Sequence, residues 1–161
     1  MIHQVLYSSR SEEWPTPPDL FQLLDSEFHF TLDPCATPEN AKCTKFFTRE
    51  HDGLTQDWGT ERVFCNPPYG KRMSDWARKC FESSINGAIV VLLAHARTDT
   101  RWFHDWVYGK AVEIRFVRGR LKFGDGRLSA PFPSLVSIFK PQIERRSARY
   151  NEVRTSNRRC L

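Results

Sequence analysis

The 161-residue sequence lacks several features that mark whole classes of protein. Its five cysteines, at 35, 43, 65, 80 and 160, form no CxxC pair. That excludes a thioredoxin-type motif, and an odd, scattered set predicts reduced thiols in a cytoplasmic protein. Cys35, Cys43, His51 and Cys65 follow no standard zinc spacing, so no metal is expected. The first ten residues have no apolar h-region, which predicts no secretory leader. The longest apolar run, Ala88 to Ala94, is far too short to span a bilayer, so no membrane association is expected. No internal repeat is present, which excludes solenoids and propellers. The histidines at 51, 95 and 104 form no defensible cluster.

What is present is a chain long enough for one domain with a sizeable core. Hydrophobic residues make up 40% and aromatic residues 13%, which excludes a disordered chain. The formal charge is +5, but it is uneven. Residues 141–161 hold six arginines against two glutamates, a net of +4, leaving about one net charge on the first 140. A near-neutral core with a basic tail points towards a polyanionic partner. The expected organisation is a lead-in over 1–13, a single domain over 14–140, and a basic, flexible tail over 141–161.

One stretch stands out. Asn66-Pro67-Pro68-Tyr69 follows the apolar run Val63-Phe64-Cys65. Two prolines fix two φ angles and remove two N–H donors. Residues before proline are driven out of the helical region, so Asn66 and Pro67 should be extended. The tetrapeptide offers an amide, a carbonyl and an aromatic ring at a strand end. That set suits a planar base: the amide and carbonyl accept from an exocyclic NH2, and the ring stacks on its face. A plain Pro-Pro turn is the alternative.

Around it, Thr16 and Pro17 read as a helix cap and first turn, with Asp19 at the positive end of the dipole. Leu20, Phe21, Leu24 and Phe28 then share one helix face. Phe30 to Leu32 is a short strand ending at Asp33, and Phe46-Phe47 is another. Arg62 to Cys65 is a strand that delivers Asn66. Ser74 should cap a helix over Trp76, Ala77, Cys80, Phe81 and Ile85 that Asn86-Gly87 ends. Ala88 to Leu93 is apolar on both faces, as a central parallel strand should be. A helix starting at Thr98 or Asp99 buries Trp102, Phe103, Trp106 and Val107. Val112, Ile114 and Phe116 alternate with Glu113 and Arg115, predicting a half-buried strand. An antiparallel hairpin between 120 and 139, turning at Gly124-Asp125-Gly126, completes the order. Strands separated by helices imply βαβ units and a mostly parallel sheet. Ligands then lie outside the carboxyl ends of strands, where Asp33 and Asn66 both fall.

At these residues the chain resembles the phage-type DNA N-6-adenine methyltransferases. The resemblance rests on Trp14-Pro15-Thr16-Pro17, Leu32-Asp33-Pro34-Cys35-Ala36, Asp52-Gly53-Leu54, Phe64-Cys65-Asn66-Pro67-Pro68-Tyr69-Gly70, Ala96-Arg97-Thr98-Asp99-Thr100 and Gly119-Arg120-Leu121-Lys122-Phe123. It spans roughly Trp14 to Phe139. It implies a single-domain, Rossmann-like α/β methyltransferase with a mostly parallel sheet and an antiparallel C-terminal hairpin strand. Only 33 residues separate Asp33 from Asn66, so the fold is expected to be shortened between the first strand and the Asn-Pro-Pro-Tyr strand. It also implies methyl transfer from S-adenosyl-L-methionine to adenine N6 in double-stranded DNA. The sequence does not show the oligomeric state, and a monomer is the favoured expectation. Asn66, Pro67, Pro68 and Tyr69 would be catalytic. Asp33, Asp52, Leu54, Thr16 and Pro17 would hold the cofactor, with Asp57 the rival of Asp52. Arg97, Arg120 and Lys122 would contact DNA. The wider superfamily has a Gly-rich loop after its first strand; here residues 34–37 contain no glycine. The alternatives are a degenerate DNA-binding scaffold, or amino methylation of an RNA base or a protein glutamine.

Overall fold

The computed structural model describes residues 14–123 and 129–141. Its centre is a six-stranded sheet in the order β2-β1-β3-β4-β6-β5. The strands are β1 (Leu32–Asp33), β2 (Lys45–Phe46), β3 (Arg62–Cys65), β4 (Ile89–His95), β5 (Glu113–Phe116) and β6 (Ser134–Phe139). The helices are α1 (Pro18–Phe28), α2 (Met73–Ile85) and α3 (Arg101–Trp106). The pairings β1–β2, β1–β3 and β3–β4 are parallel; β4–β6 and β5–β6 are antiparallel. This is the mixed α/β, Rossmann-like sheet expected of a methyltransferase domain.

Strand alternation builds a core on each face. Val63 and Cys65 of β3, with Val90, Leu92 and Ala94 of β4, face Trp76, Ala77 and Cys80 of α2 and Trp102 and Phe103 of α3. Phe64, Val91 and Leu93 face the other way, onto Leu24 and Phe28 of α1 and onto Val136 and Ile138. β4 is therefore buried on both faces, as its unbroken apolar run predicts. Each large side chain so buried contributes roughly 1.5–3 kcal/mol of transfer free energy.

The strands that carry the rim residues stop at prolines. Pro34 follows Asp33 and Pro67 follows Asn66, and neither can donate to a ladder. Only β2 and turns occupy the described stretch between β1 and β3, which is the shortening expected there.

Several local expectations are corrected. Thr16 does not cap α1: Pro17 is the N-cap, Pro18 opens the helix, and no side chain caps it. Proline at N1 sacrifices no bond, so the helix needs no threonine there. Ser74 does not cap α2, which starts at Met73 with Arg72 as N-cap. The third helix starts at Arg101, not at Thr98 or Asp99. The antiparallel arm begins earlier than residue 120: Glu113 pairs with Ile138 and Phe116 with Leu135. Ala130 N–H donates to Leu121 O at 2.8 Å further out. β4, expected to be a parallel strand, is parallel to β3 but antiparallel to β6. β5 is an edge strand with β6 alone beside it, and Phe116 is 67% exposed rather than packed inward. Arg115 on this edge forms a bidentate pair with Glu27 of α1, at 2.6 and 2.7 Å. The lead-in over 1–13, the turn at 124–126 and tail residues 142–161 lie outside the described residues.

Candidate active site

A cleft of about 960 Å3 opens at the carboxyl ends of β1 and β3. Its wall includes Thr16, Asp33, Asp52, Gly53, Asn66 and Pro68. The volume lies in the range of about 300–1,000 Å3 usual for small-molecule sites.

Asn66 is gripped from one side. Its Nδ2 donates to the Trp14 carbonyl at 2.6 Å and to Thr16 Oγ1 at 2.9 Å. Its Oδ1 is buried and has no hydrogen-bond partner among the described residues. A buried acceptor left unmatched costs about 1–3 kcal/mol, so a ligand N–H placed there recovers that energy. Tyr69 is not on the cleft wall. Its hydroxyl donates weakly to Leu93 O at 3.4 Å, and burial raises its pKa. Its ring lies 5.0 Å from His95 and 5.4 Å from Phe132. Phe132 in turn lies 5.1 Å from Trp14, a cleft residue, so an aromatic arm runs from the cleft rim to Tyr69. His95, at the end of β4, keeps a buried Nδ1 without a partner among the described residues. Burial, then the nearby Arg97 charge, hold His95 below the usual histidine range.

Asp33 is only 5% exposed. Its carboxylate accepts from Lys42 N at 3.0 Å and Cys35 N at 3.3 Å, clasping the loop over the cleft. Burial raises its pKa, and the two amides only partly offset this. Asp52 sits in the left-handed region at φ 47°. Its Oδ1 accepts from Leu54 N at 3.3 Å and its Oδ2 lies 3.7 Å from Arg72. Gly53 packs directly on the clasped loop: a Cβ there would lie 2.0 Å from the Pro34 carbonyl oxygen. Trp58 Nε1 donates to Gly53 O at 2.9 Å and locks that approach. The close backbone approach at residues 34–37 is thus made by Gly53, from another loop.

A family model described as DNA N-6-adenine-methyltransferase (Dam) matches residues 4–157. The chain belongs to the DNA N-6-adenine-methyltransferase family. It is 30% identical over 142 residues to the DNA N-6-adenine-methyltransferase of Haemophilus phage HP1, covering 83% of this chain and 82% of that protein. It is also 32% identical over 110 residues to the DNA N-6-adenine-methyltransferase of Escherichia phage T1, covering 67% of this chain and 45% of that longer protein. Membership of this family implies a methyl donor and a DNA substrate. No described helix is long and apolar enough to cross a membrane.

Against this family background, the cleft gathers Thr16, Asp33, Asp52, Asn66 and Pro68 from the expected site. It leaves out Pro17, the N-cap of α1, Pro67, which is buried, and Leu54, which packs against the core. Arg97, Arg120 and Lys122 are exposed and do not line it. Arg97 lies just past β4 and sits 3.9 Å from Asp99. Sequence reasoning missed the cations on the cleft itself: Lys42, Arg49, Lys71 and Arg72. Lys71 and Arg72 directly follow Tyr69-Gly70, so their place beside the motif was a usable signal. The bond from Asn66 to Thr16 joins residues 50 apart and left no local signature.

Proposed function

We propose that the chain transfers a methyl group from S-adenosylmethionine to N6 of adenine in double-stranded DNA, with Asn66 at the reacting centre. The observation that carries this is the buried, unmatched Asn66 Oδ1 beside a fully used Nδ2. S-adenosylmethionine supplies an electrophilic methyl group when bound in the cleft. An adenine amino nitrogen is a weak nucleophile because its lone pair is delocalised into the ring. Asn66 Oδ1 accepts one of its N–H groups and the Pro67 carbonyl the other. Two fixed acceptors favour a more tetrahedral nitrogen and stabilise the positive charge that develops on it. No strong base is needed, so positioning supplies most of the rate. Pro68 keeps the segment stiff.

Reaching N6 requires the base to leave the duplex stack, at a cost of a few kcal/mol. Trp14 on the cleft wall, backed by Phe132 and Tyr69, offers aromatic surface worth roughly 1–3 kcal/mol per stacked base. On the cofactor side, Asp33 meets the cationic methionine amino group, and that charge draws its raised pKa back down. Asp52 accepts from the cofactor's adenine amino group, with Leu54 backing the loop. Thr16 and Pro17 close the methionine end through backbone groups. The cleft carries both signs of charge, which suits a zwitterionic ligand. Arg97, Arg120 and Lys122, with Lys71 and Arg72, contact phosphates. The enzyme acts in the cytoplasm of the host cell. A degenerate DNA-binding scaffold would have no use for a buried acceptor kept free at this cost.

Asn66→Ala should lose on the order of 10²–10³ in turnover, the effect of removing one preorganised polar group. Methylation of DNA by this variant at the wild-type rate would contradict the assignment.

A further inference from the structure

The residues that grip Asn66 come from a distant part of the chain, 50 and 52 residues earlier. Trp14 and Thr16 precede α1, whereas Asn66 follows β3. An asparagine amide has nearly the same shape either way round, so its partners decide which atom faces a ligand. A backbone carbonyl has no proton to give. The amide atom 2.6 Å from Trp14 O is therefore nitrogen. Its second hydrogen goes to Thr16 Oγ1, on a residue only 5% exposed. Both protons are used, and oxygen is the atom that remains. Without Thr16 the amide keeps a single anchor and turns more freely about χ2, a broad torsion. With nitrogen facing the base, two donors would meet.

We infer that Thr16, acting with the Trp14 carbonyl, is a positioning residue that sets the Asn66 amide oxygen towards the substrate and makes an amide, rather than a carboxylate, obligatory at position 66. The inference rests on the reading of Asn66 as the acceptor for the reacting amino group. It moves the main role of Thr16 from the cofactor to the reacting centre. It also brings the segment before α1 into the catalytic apparatus. A carboxylate at position 66 would place an oxygen where Nδ2 lies, 2.6 Å from a carbonyl oxygen with no proton between them. It would have to turn away, taking its other oxygen out of line.

The test compares Thr16→Val, Thr16→Ser and Asn66→Asp with the wild type. Turnover is read on unmethylated duplex DNA, and S-adenosylmethionine affinity by calorimetry without DNA. Thr16→Val should lower kcat by about 10–100-fold, the scale of a small misplacement. Its cofactor affinity should change less than about twofold, and Thr16→Ser should regain most of the rate, because the oxygen is restored. Asn66→Asp should lose at least as much as Thr16→Val. Three results would each overturn the inference: a large loss of cofactor affinity in Thr16→Val with kcat intact, equal losses in Thr16→Val and Thr16→Ser, or a fully active Asn66→Asp. Hydrogen exchange of the Asn66 side-chain NH2, followed by NMR, needs no substrate. It should be slow in the wild type and faster in Thr16→Val; exchange in the wild type as fast as in free asparagine overturns the inference. That arm also decides the matter if Thr16→Val fails to fold. A wild type that leaves DNA unmodified would refute the functional reading, and the exchange arm would still report on the grip separately.

Discussion

Replacing Gly53 with alanine tests how the cleft is walled. A Cβ on Gly53 would lie 2.0 Å from the Pro34 carbonyl oxygen, 3.0 Å from its carbon and 3.3 Å from the Trp76 ring. The two loops must part by about 1–1.5 Å to restore ordinary contact. The neighbour at 2.0 Å is backbone, held by the Asp33 clasp on one side and the Trp58 bond on the other. It cannot swing aside as a side chain would. Overpacking of this kind costs typically about 1–3 kcal/mol. Alanine also restricts the unfolded chain, returning about 0.4–1 kcal/mol, so the steric term wins. A net loss of about 1–2 kcal/mol in a chain of this size lowers Tm by about 2–8 °C. Both loops line the cleft, so S-adenosylmethionine affinity should fall with stability. Scanning calorimetry with and without the cofactor reads both. A Tm within about 1 °C of wild type, with unchanged cofactor affinity, would refute the idea that this contact shapes the site.

Asp33→Asn should weaken S-adenosylmethionine binding by about tenfold or more, the effect of removing a charge-assisted hydrogen bond; unchanged affinity in calorimetry would remove Asp33 from the cofactor site. Asp33 also carries a pH signature. Because its folded pKa is raised, its stability contribution is complete below the unfolded value near 3.9 and is lost as pH rises through the folded one. Asp33→Asn should flatten that part of the stability curve. Glu27 has the opposite sign: its hydrogen bond to Arg115 lowers its pKa, so that contribution is present above the unfolded value and is lost as pH falls. Glu27→Gln should soften acid unfolding, and an unchanged acid limb would count against the edge-strand pair. Truncation after Lys140 removes a segment with net charge +4. The slope of log affinity for DNA against log salt should flatten, and an unaltered slope would exclude the tail from binding.

The proposed reacting end of the site was legible because its signals are local. Asn66 and two prolines end a four-residue strand whose bounds, Arg62–Cys65, are those the apolar run implies. The helix over Trp76, Ala77 and Cys80 and the two-faced strand β4 were equally plain. The proposed cofactor wall was harder to read, because it is made by contacts between distant loops. Gly53 reads as part of an Asp-Gly turn, yet its lack of a side chain answers to Pro34, 19 residues earlier. Thr16 carries the local signature of a helix cap, but its oxygen serves Asn66 instead. Phe116 follows an alternating pattern that predicts burial, and its position on an edge strand overrides the pattern. In each case a tertiary partner outweighed the local rule.

The most direct measurement is to incubate the purified chain with methyl-labelled S-adenosylmethionine and unmethylated duplex DNA, digest the DNA to nucleosides and identify the labelled one. The account predicts label in N6-methyldeoxyadenosine, abolished by Asn66→Ala. Label in a cytosine product, or none in DNA with label instead in RNA or protein, would contradict it.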